Sequence, residues 1–234
     1  MIVQNAYVLH SRPFKENQLV VDLFTENLGR VAATVYVGQS KRSIKKGLIQ
    51  PFLPLTLGLK EQGHFKQIRQ IDAIAQSIPL KKQSLFSGFY LNELLIRLLT
   101  EQVACQTLFY QYQSTLKLLA LSDDMAPSLR IFELSLIEEL GLSFDFSPVF
   151  ASDAKYFNYI PEQGFVVIEN LTANNQKNCF SKQHLEIIAQ PEYLHNQGEY
   201  QAVSHTFKLL MRQVINQLLG NKPLNSRKLF AKNK

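Results

Sequence analysis

The first eighty residues alternate five short β-type runs with turn-forming residues, and this pattern constrains the fold more than any other feature of the chain. The runs are residues 3–10, 18–25, 30–37, 52–60 and 65–74. Each is rich in Val, Ile, Leu, Phe, Thr or Tyr, whose branched or flat side chains suit a pleated, half-buried surface. Residues 11–17 separate the first two runs. Glu26-Asn27-Leu28-Gly29 reverses the chain between the second and third, and Glu61-Gln62-Gly63 does so before the fifth. Hairpin order follows from such tight connections. Pro51 and Pro54 predict an edge or a bulge for the fourth run, because proline has no N–H to give to a ladder. Five short strands in this span fit an OB-type Greek-key barrel, and an SH3-like barrel fits the count nearly as well.

From Lys82 the apolar period changes to that of a helix, with Leu85, Phe89, Tyr90, Leu94, Leu95 and Leu98 recurring every three or four residues. Leu108, Tyr112, Leu116 and Leu119 stripe a second helix. Leu129, Phe132, Leu136 and Leu140 stripe a third, with Pro127 in its first turn and Gly141 at its end. Three consecutive amphipathic helices predict a bundle. Pro161-Glu162-Gln163, between residues 156–160 and 164–169, predicts an inserted β-hairpin. Ser181 is placed to cap a short helix, and Val203, Phe207, Leu210, Val214 and Leu218 stripe a longer one ending at Gly220. The resulting class is α+β: a five-stranded barrel over residues 1–80, a central helical domain over 81–146, and a C-terminal region over 147–234. The last stretch is a basic tail, mobile unless Leu224, Leu229 and Phe230 dock it.

Charge is segregated along the chain. Residues 1–80 hold ten Lys/Arg against five Asp/Glu, residues 81–150 five against eight, and residues 151–234 ten against six, giving +5, −3 and +4. Two basic ends around an acidic middle point to a phosphate-bearing partner. Arg30, Lys41, Arg42, Lys45, Lys46, Lys60, Lys66 and Arg69 are candidates for a cationic groove, with Tyr36 or Phe65 as stacking platforms and Lys222, Arg227 and Lys228 as a second cluster. Lys41 to Lys46 reads as a loop, since a small barrel has no inward place for four charges.

Catalytic and metal constellations are missing from the sequence. It contains no HExxH, nucleophile elbow, GxGxxG or CxxC pair, and Cys105 and Cys179 match no metal spacing, so both read as small apolar packers. The stretch Gly58 to His64 lacks the lysine of a phosphate loop. No run is long and apolar enough to span a bilayer, and no basic leader precedes an apolar segment. A soluble, unexported protein is expected, with no cofactor, no metal, no membrane and no small-molecule substrate.

A set of segments follows in one order along the chain: Val8-Leu9-His10-Ser11-Arg12-Pro13 with Glu16-Asn17, then Asp22-Leu23-Phe24-Thr25 with Gly29-Arg30-Val31, and Gln50-Pro51-Phe52. Ser87-Gly88, Tyr90-Leu91-Asn92-Glu93-Leu94-Leu95 and Leu129-Arg130 with Phe132-Glu133-Leu134 follow, then Pro161-Glu162-Gln163-Gly164-Phe165 and residues 219–227. Together these segments resemble a known family, the bacterial recombination mediator RecO. The resemblance implies a non-enzymatic, cytoplasmic and nucleoid-associated protein with an N-terminal OB-fold and a helical domain. It also implies binding of single- and double-stranded DNA, strand annealing, and help for RecA, with RecR, in replacing single-strand-binding protein (SSB). Many members carry a four-cysteine zinc site; the positions after Asp145-Phe146 hold Ser147, Pro148, Val149 and Phe150, which matches the zinc-free branch. The family's docking of the acidic SSB tail implies a role for Arg130 with Leu129 and Phe132, Arg130 being the only basic residue of its helix. Its other reading is a partner for Glu133 or Glu138. Two rival functions are an RNA-binding or ribosome-associated OB protein and an enzyme assembled around His195 and His205.

Overall fold

The computed structural model of the chain describes residues 1–38, 44–62, 65–170, 179–190 and 197–231. The chain divides into two compact units, residues 1–123 with 223–234, and residues 124–222. The units therefore cut the chain elsewhere than at residues 80 and 146. Helices α2 (Gln83–Leu98) and α3 (Gln106–Leu121) belong to the first unit and α4 (Ala126–Glu139) to the second, where it packs on α7 (Gln197–Leu218). The expected three-helix bundle is thus divided: periodicity reveals an apolar stripe but not what covers it.

In the first unit β1 (Ile2–Phe14), β2 (Gln18–Thr25), β3 (Gly29–Tyr36), β4 (Leu55–Gln62) and β5 (Phe65–Ala73) close into a barrel of order β1-β2-β3-β5-β4. Strands β3 and β5 run parallel while the other neighbours are antiparallel, and α1 (Ile44–Leu48) follows β3. This connectivity is the OB arrangement. Alternation sends Ala6, Val8, Val21, Leu23, Ala33, Val35, Leu55, Leu57, Leu59, Ile68 and Ile71 inward to one core. Of the two expectations for the fourth run, an edge or a bulge, the edge does not hold, because β4 is paired on both sides, while its ladder to β5 is irregular at Gly58/Leu59. Pro51 and Pro54 precede the strand, where no ladder N–H is needed. β1 also continues through Phe14, across residues expected to form a loop.

The outer surface of β1 and β2 is covered by α2 and α3. Tyr7 and Phe24 contact Phe109 and Tyr112 with ring centroids 5.3 to 5.8 Å apart. A polar chain crosses this contact: Tyr112 Oη donates to Asn92 Oδ1 at 2.7 Å, and Asn92 Nδ2 donates to the Leu9 carbonyl at 2.9 Å. Gly29, at φ +65°, is required at the β2–β3 turn because a Cβ there would lie 1.8 Å from the Val103 carbonyl oxygen.

The second unit contains α4, α5 (Ser147–Ala151), the hairpin of β6 (Tyr156–Ile160) and β7 (Gly164–Val167), β8 (Phe180–Ser181), α6 (Lys182–Ile188) and α7. The sheet order is β7-β6-β8, and Ser181 caps α6 by accepting from the His184 N–H at 3.3 Å. Phe144, Phe146 and Tyr159 gather around the buried Phe165, with Phe146 and Phe165 stacked at 4.9 Å.

The C-terminal segment then rejoins the first unit. Leu224 is buried, Phe230 of α8 (Arg227–Ala231) meets Phe86 edge-on, and Arg97 Nη1 donates to the Pro223 carbonyl at 3.0 Å. Among the described residues no helix is long and apolar enough to cross a membrane.

Candidate nucleic-acid interface

Strand register divides the outside of the barrel into two regions. The Tyr7↔Phe24 row lies under α3. Two rows further along, Arg12, Val20, Thr34, Gln67 and Lys60 follow one another across β1, β2, β3, β5 and β4. The next row brings Phe14, Gln18 and Tyr36 together. Arg12 and Lys60 are exposed, and Tyr36 is 54% exposed. Lys15, in the β1–β2 turn, holds its ammonium 5.4 Å from the Phe14 ring. Arg12 and Lys15 thus stand beside an open aromatic face on the β2–β3 side and first turn, the region that OB folds use for oligonucleotides, and Lys60 ends the row on β4.

The expected cations fall into three groups. Lys45, Lys46 and Arg69 are exposed, and α1, which carries the two lysines, packs against β5, which carries Arg69. Lys41 and Arg42 lie outside the described residues, and the expected loop gives way to helix at Ile44. Arg30 and Lys66 are consumed internally. Arg30 Nη1 lies 3.1 Å from Glu101 and 3.6 Å from Asp22, and its Nε donates to the Leu99 carbonyl at 3.0 Å. Lys66 is only 6% exposed and pairs with Glu61 across the β4–β5 ladder. Phosphate contact at either residue would cost an existing ion pair.

Of the C-terminal cations, Lys222 and Lys228 are exposed and Arg227 is half-buried. Arg227 and Lys228 stand on α8, anchored to α2 of the first unit through Glu93. Burial alone would raise the Glu93 carboxyl, but the Ser226 and Asn225 N–H groups and Arg97 more than offset this and hold it below its usual range.

The three residues expected at an acidic tail lie in the second unit. Phe132 is fully buried, Leu129 is half-buried, and Arg130 Nη1 is 2.6 Å from Glu133 Oε2, a carboxylate with no solvent exposure. Tyr200 packs near this pair, and burial pushes its hydroxyl up to about 12. His195 lies outside the described residues, and no cluster of three metal-ligating side chains occurs among those described.

Arg12, Phe14 and Lys15 are not among the cations and platforms expected from the sequence, where residues 11–17 read as a connection between strands. Their signal is the two-residue period continuing through His10, Arg12 and Phe14.

The fold and its charges define an OB-barrel protein with helical domains and a cationic, partly aromatic outer face. Comparison with known proteins narrows the class. Residues 1–77 match the family model described as recombination protein O N terminal, and residues 83–227 match recombination protein O C terminal. The chain is 37% identical over 236 residues to the DNA repair protein RecO of Enterobacter sp. (strain 638), covering 97% of this chain and 95% of that one. It is 36% identical to the RecO proteins of Psychromonas ingrahamii, with 97% of both chains covered, and of Actinobacillus succinogenes, with 98% and 95% covered. The chain belongs to the recombination protein O family, a family of DNA repair and recombination proteins.

Proposed function

We propose that this protein is a non-catalytic mediator that holds single-stranded DNA on the uncovered face of its barrel, binds duplex more loosely, and promotes annealing of complementary strands. The observation carrying this reading is the cross-strand row that runs from Arg12 on β1 to Lys60 on β4, with exposed Tyr36 and Lys15 at its β1–β3 end and Lys45, Lys46 and Arg69 adding exposed charge to the same barrel. Two strands neutralised on basic surfaces repel each other less, which favours pairing.

In repair, the same reading attaches the protein to the acidic SSB tail and, with RecR, assists RecA on SSB-covered gaps. Tail attachment makes the weaker DNA contact act at high effective concentration. Arg130 serves the tail only by exchanging its Glu133 partner for a tail carboxylate. Titration of a synthetic tail peptide against the native protein and Arg130→Ala tests that exchange; equal affinity for both rejects it.

Salt-dependent titration with single-stranded DNA tests the central proposal. Replacing Lys45 and Lys46 by alanine should reduce the slope of log affinity against log salt by roughly 1.4, about 0.7 per lost phosphate contact. An unchanged slope rejects these contacts. Preference for RNA over DNA of equal sequence would favour the ribosome-associated alternative.

A further inference from the structure

We infer that the second unit carries a separate single-strand site on α7, where an unpaired nucleotide enters a cavity lined by amide side chains. The inference rests on the nucleic-acid reading above and extends it from one strand to two.

Charge is the first observation. After Glu199 the sequence contains no acidic residue to its end, while Lys208, Arg212, Lys222, Arg227, Lys228, Lys232 and Lys234 are all cationic. On α7, His205, Lys208 and Arg212 are spaced three and four residues apart, so they share one face, and all three are exposed. Neither Lys208 nor Arg212 has an ion-pair partner among the described residues.

The second observation is a cavity of about 330 Å³ at the C-terminal end of this helix. Arg212, Gln213, Asn216, Gln217 and Asn221 supply most of its lining, with Phe180 and Leu209 as its apolar part. The turn ending α7 brings in Asn221: Gly220 and Asn221 have φ of +61° and +58°, and the Asn221 N–H donates to the Asn216 carbonyl at 2.8 Å. Gln213 is fixed from behind, its Nε2 donating to the Tyr159 carbonyl at 2.6 Å.

This chemistry selects its occupant. Four amides and one guanidinium, without a carboxylate, do not suit a metal ion. An acidic peptide would call for several cations, whereas Arg212 is the one cation that lines the cavity, and Phe180 and Leu209 suit the flat face of a base. Planar amides instead match the donor and acceptor edges of a nucleobase, which are exposed only when the base is unpaired. The volume is near the lower end for small-ligand sites, roughly 300 Å³, enough for one nucleotide. The negative end of the α7 dipole favours N–H-bearing base edges over phosphate, leaving the phosphates to Lys208 and Arg212.

The full chain, its exposed-surface variant Lys208→Ala/Arg212→Ala, and oligodeoxynucleotides bearing a photoreactive base provide the test. The variant should bind one strand within about twofold of the native protein but anneal complementary strands about tenfold more slowly. Cross-links between residues 209 and 217 should appear in the native protein and disappear in the variant. Native-rate annealing by the variant, or native cross-links that avoid α7, would overturn the inference while leaving the barrel site intact. Protection of Arg212 from chemical modification by an acidic peptide but not by an oligonucleotide would overturn it as well. Failure of the native protein to bind single strands would instead remove the barrel reading on which the inference rests.

Discussion

The carboxylate of Glu93 accepts the backbone N–H of Asn225 at 2.8 Å, joining α2 to a segment 132 residues further along the chain. Its other oxygen accepts the Ser226 N–H, also at 2.8 Å, so one side chain fixes the entry to α8. Glu93→Gln should loosen residues 223–231, seen as faster amide exchange there and earlier cleavage by trypsin, with the barrel amides unchanged. The pH dependence has a definite sign. A carboxyl held below its ordinary value of 4.5 contributes stability that is present above that value and lost as pH falls through the lower folded value. Exchange in residues 223–231 should therefore rise below about pH 4.5 in the native protein and show no such step in Glu93→Gln.

The barrel and the α2–α3 hairpin should unfold together. Tyr112→Phe removes the donor to the buried Asn92 Oδ1 and keeps the ring that packs on Tyr7 and Phe24. An acceptor left without a partner costs about 1–3 kcal/mol, so urea unfolding of the first unit should shift by that amount. Equal losses of protection in β1 and α2 would show the coupling; loss in α2 alone would refute it.

Arg130 and Glu133 carry a different expectation. Arg130→Ala removes the ion-pair partner of a carboxylate that has no solvent exposure, which should destabilise the second unit by roughly 3 kcal/mol. Adding Glu133→Leu removes the buried charge and should restore much of the loss. Denaturant unfolding of both variants, followed by amide exchange within α4, reads this directly.

Much of this architecture was legible from local chemistry. Branched and aromatic residues mark all five strands, and the hairpin at Pro161-Glu162-Gln163, the Ser181 cap and the Gly220 stop are each set by a few neighbouring residues. What could not be read depends on distant partners. The covering of Tyr7 and Phe24 by α3, the placement of α4 against α7, and the return of residues 223–231 to α2 join segments far apart in sequence. The candidate site shows the same division. Net charge located a basic barrel, but cross-strand register decides which cations face solvent, and register comes from pairing the whole sheet.

Lys66 and Arg69 bring that distinction to a measurement, since both are cations of β5 and only three positions separate them. Lys66 is buried against Glu61 across the ladder, whereas Arg69 is exposed beside the irregular pairing at Gly58/Leu59. Lys66→Met should alter barrel stability and leave the salt dependence of single-strand binding unchanged. Arg69→Ala should leave stability within about 0.5 kcal/mol, as exposed substitutions usually do, and reduce the salt slope by roughly 0.7 if its charge meets a phosphate. Thermal unfolding and salt titration of the two variants separate these outcomes. The reverse pattern would mean that Glu61 releases Lys66 when DNA binds, moving the cationic surface toward the β4–β5 turn.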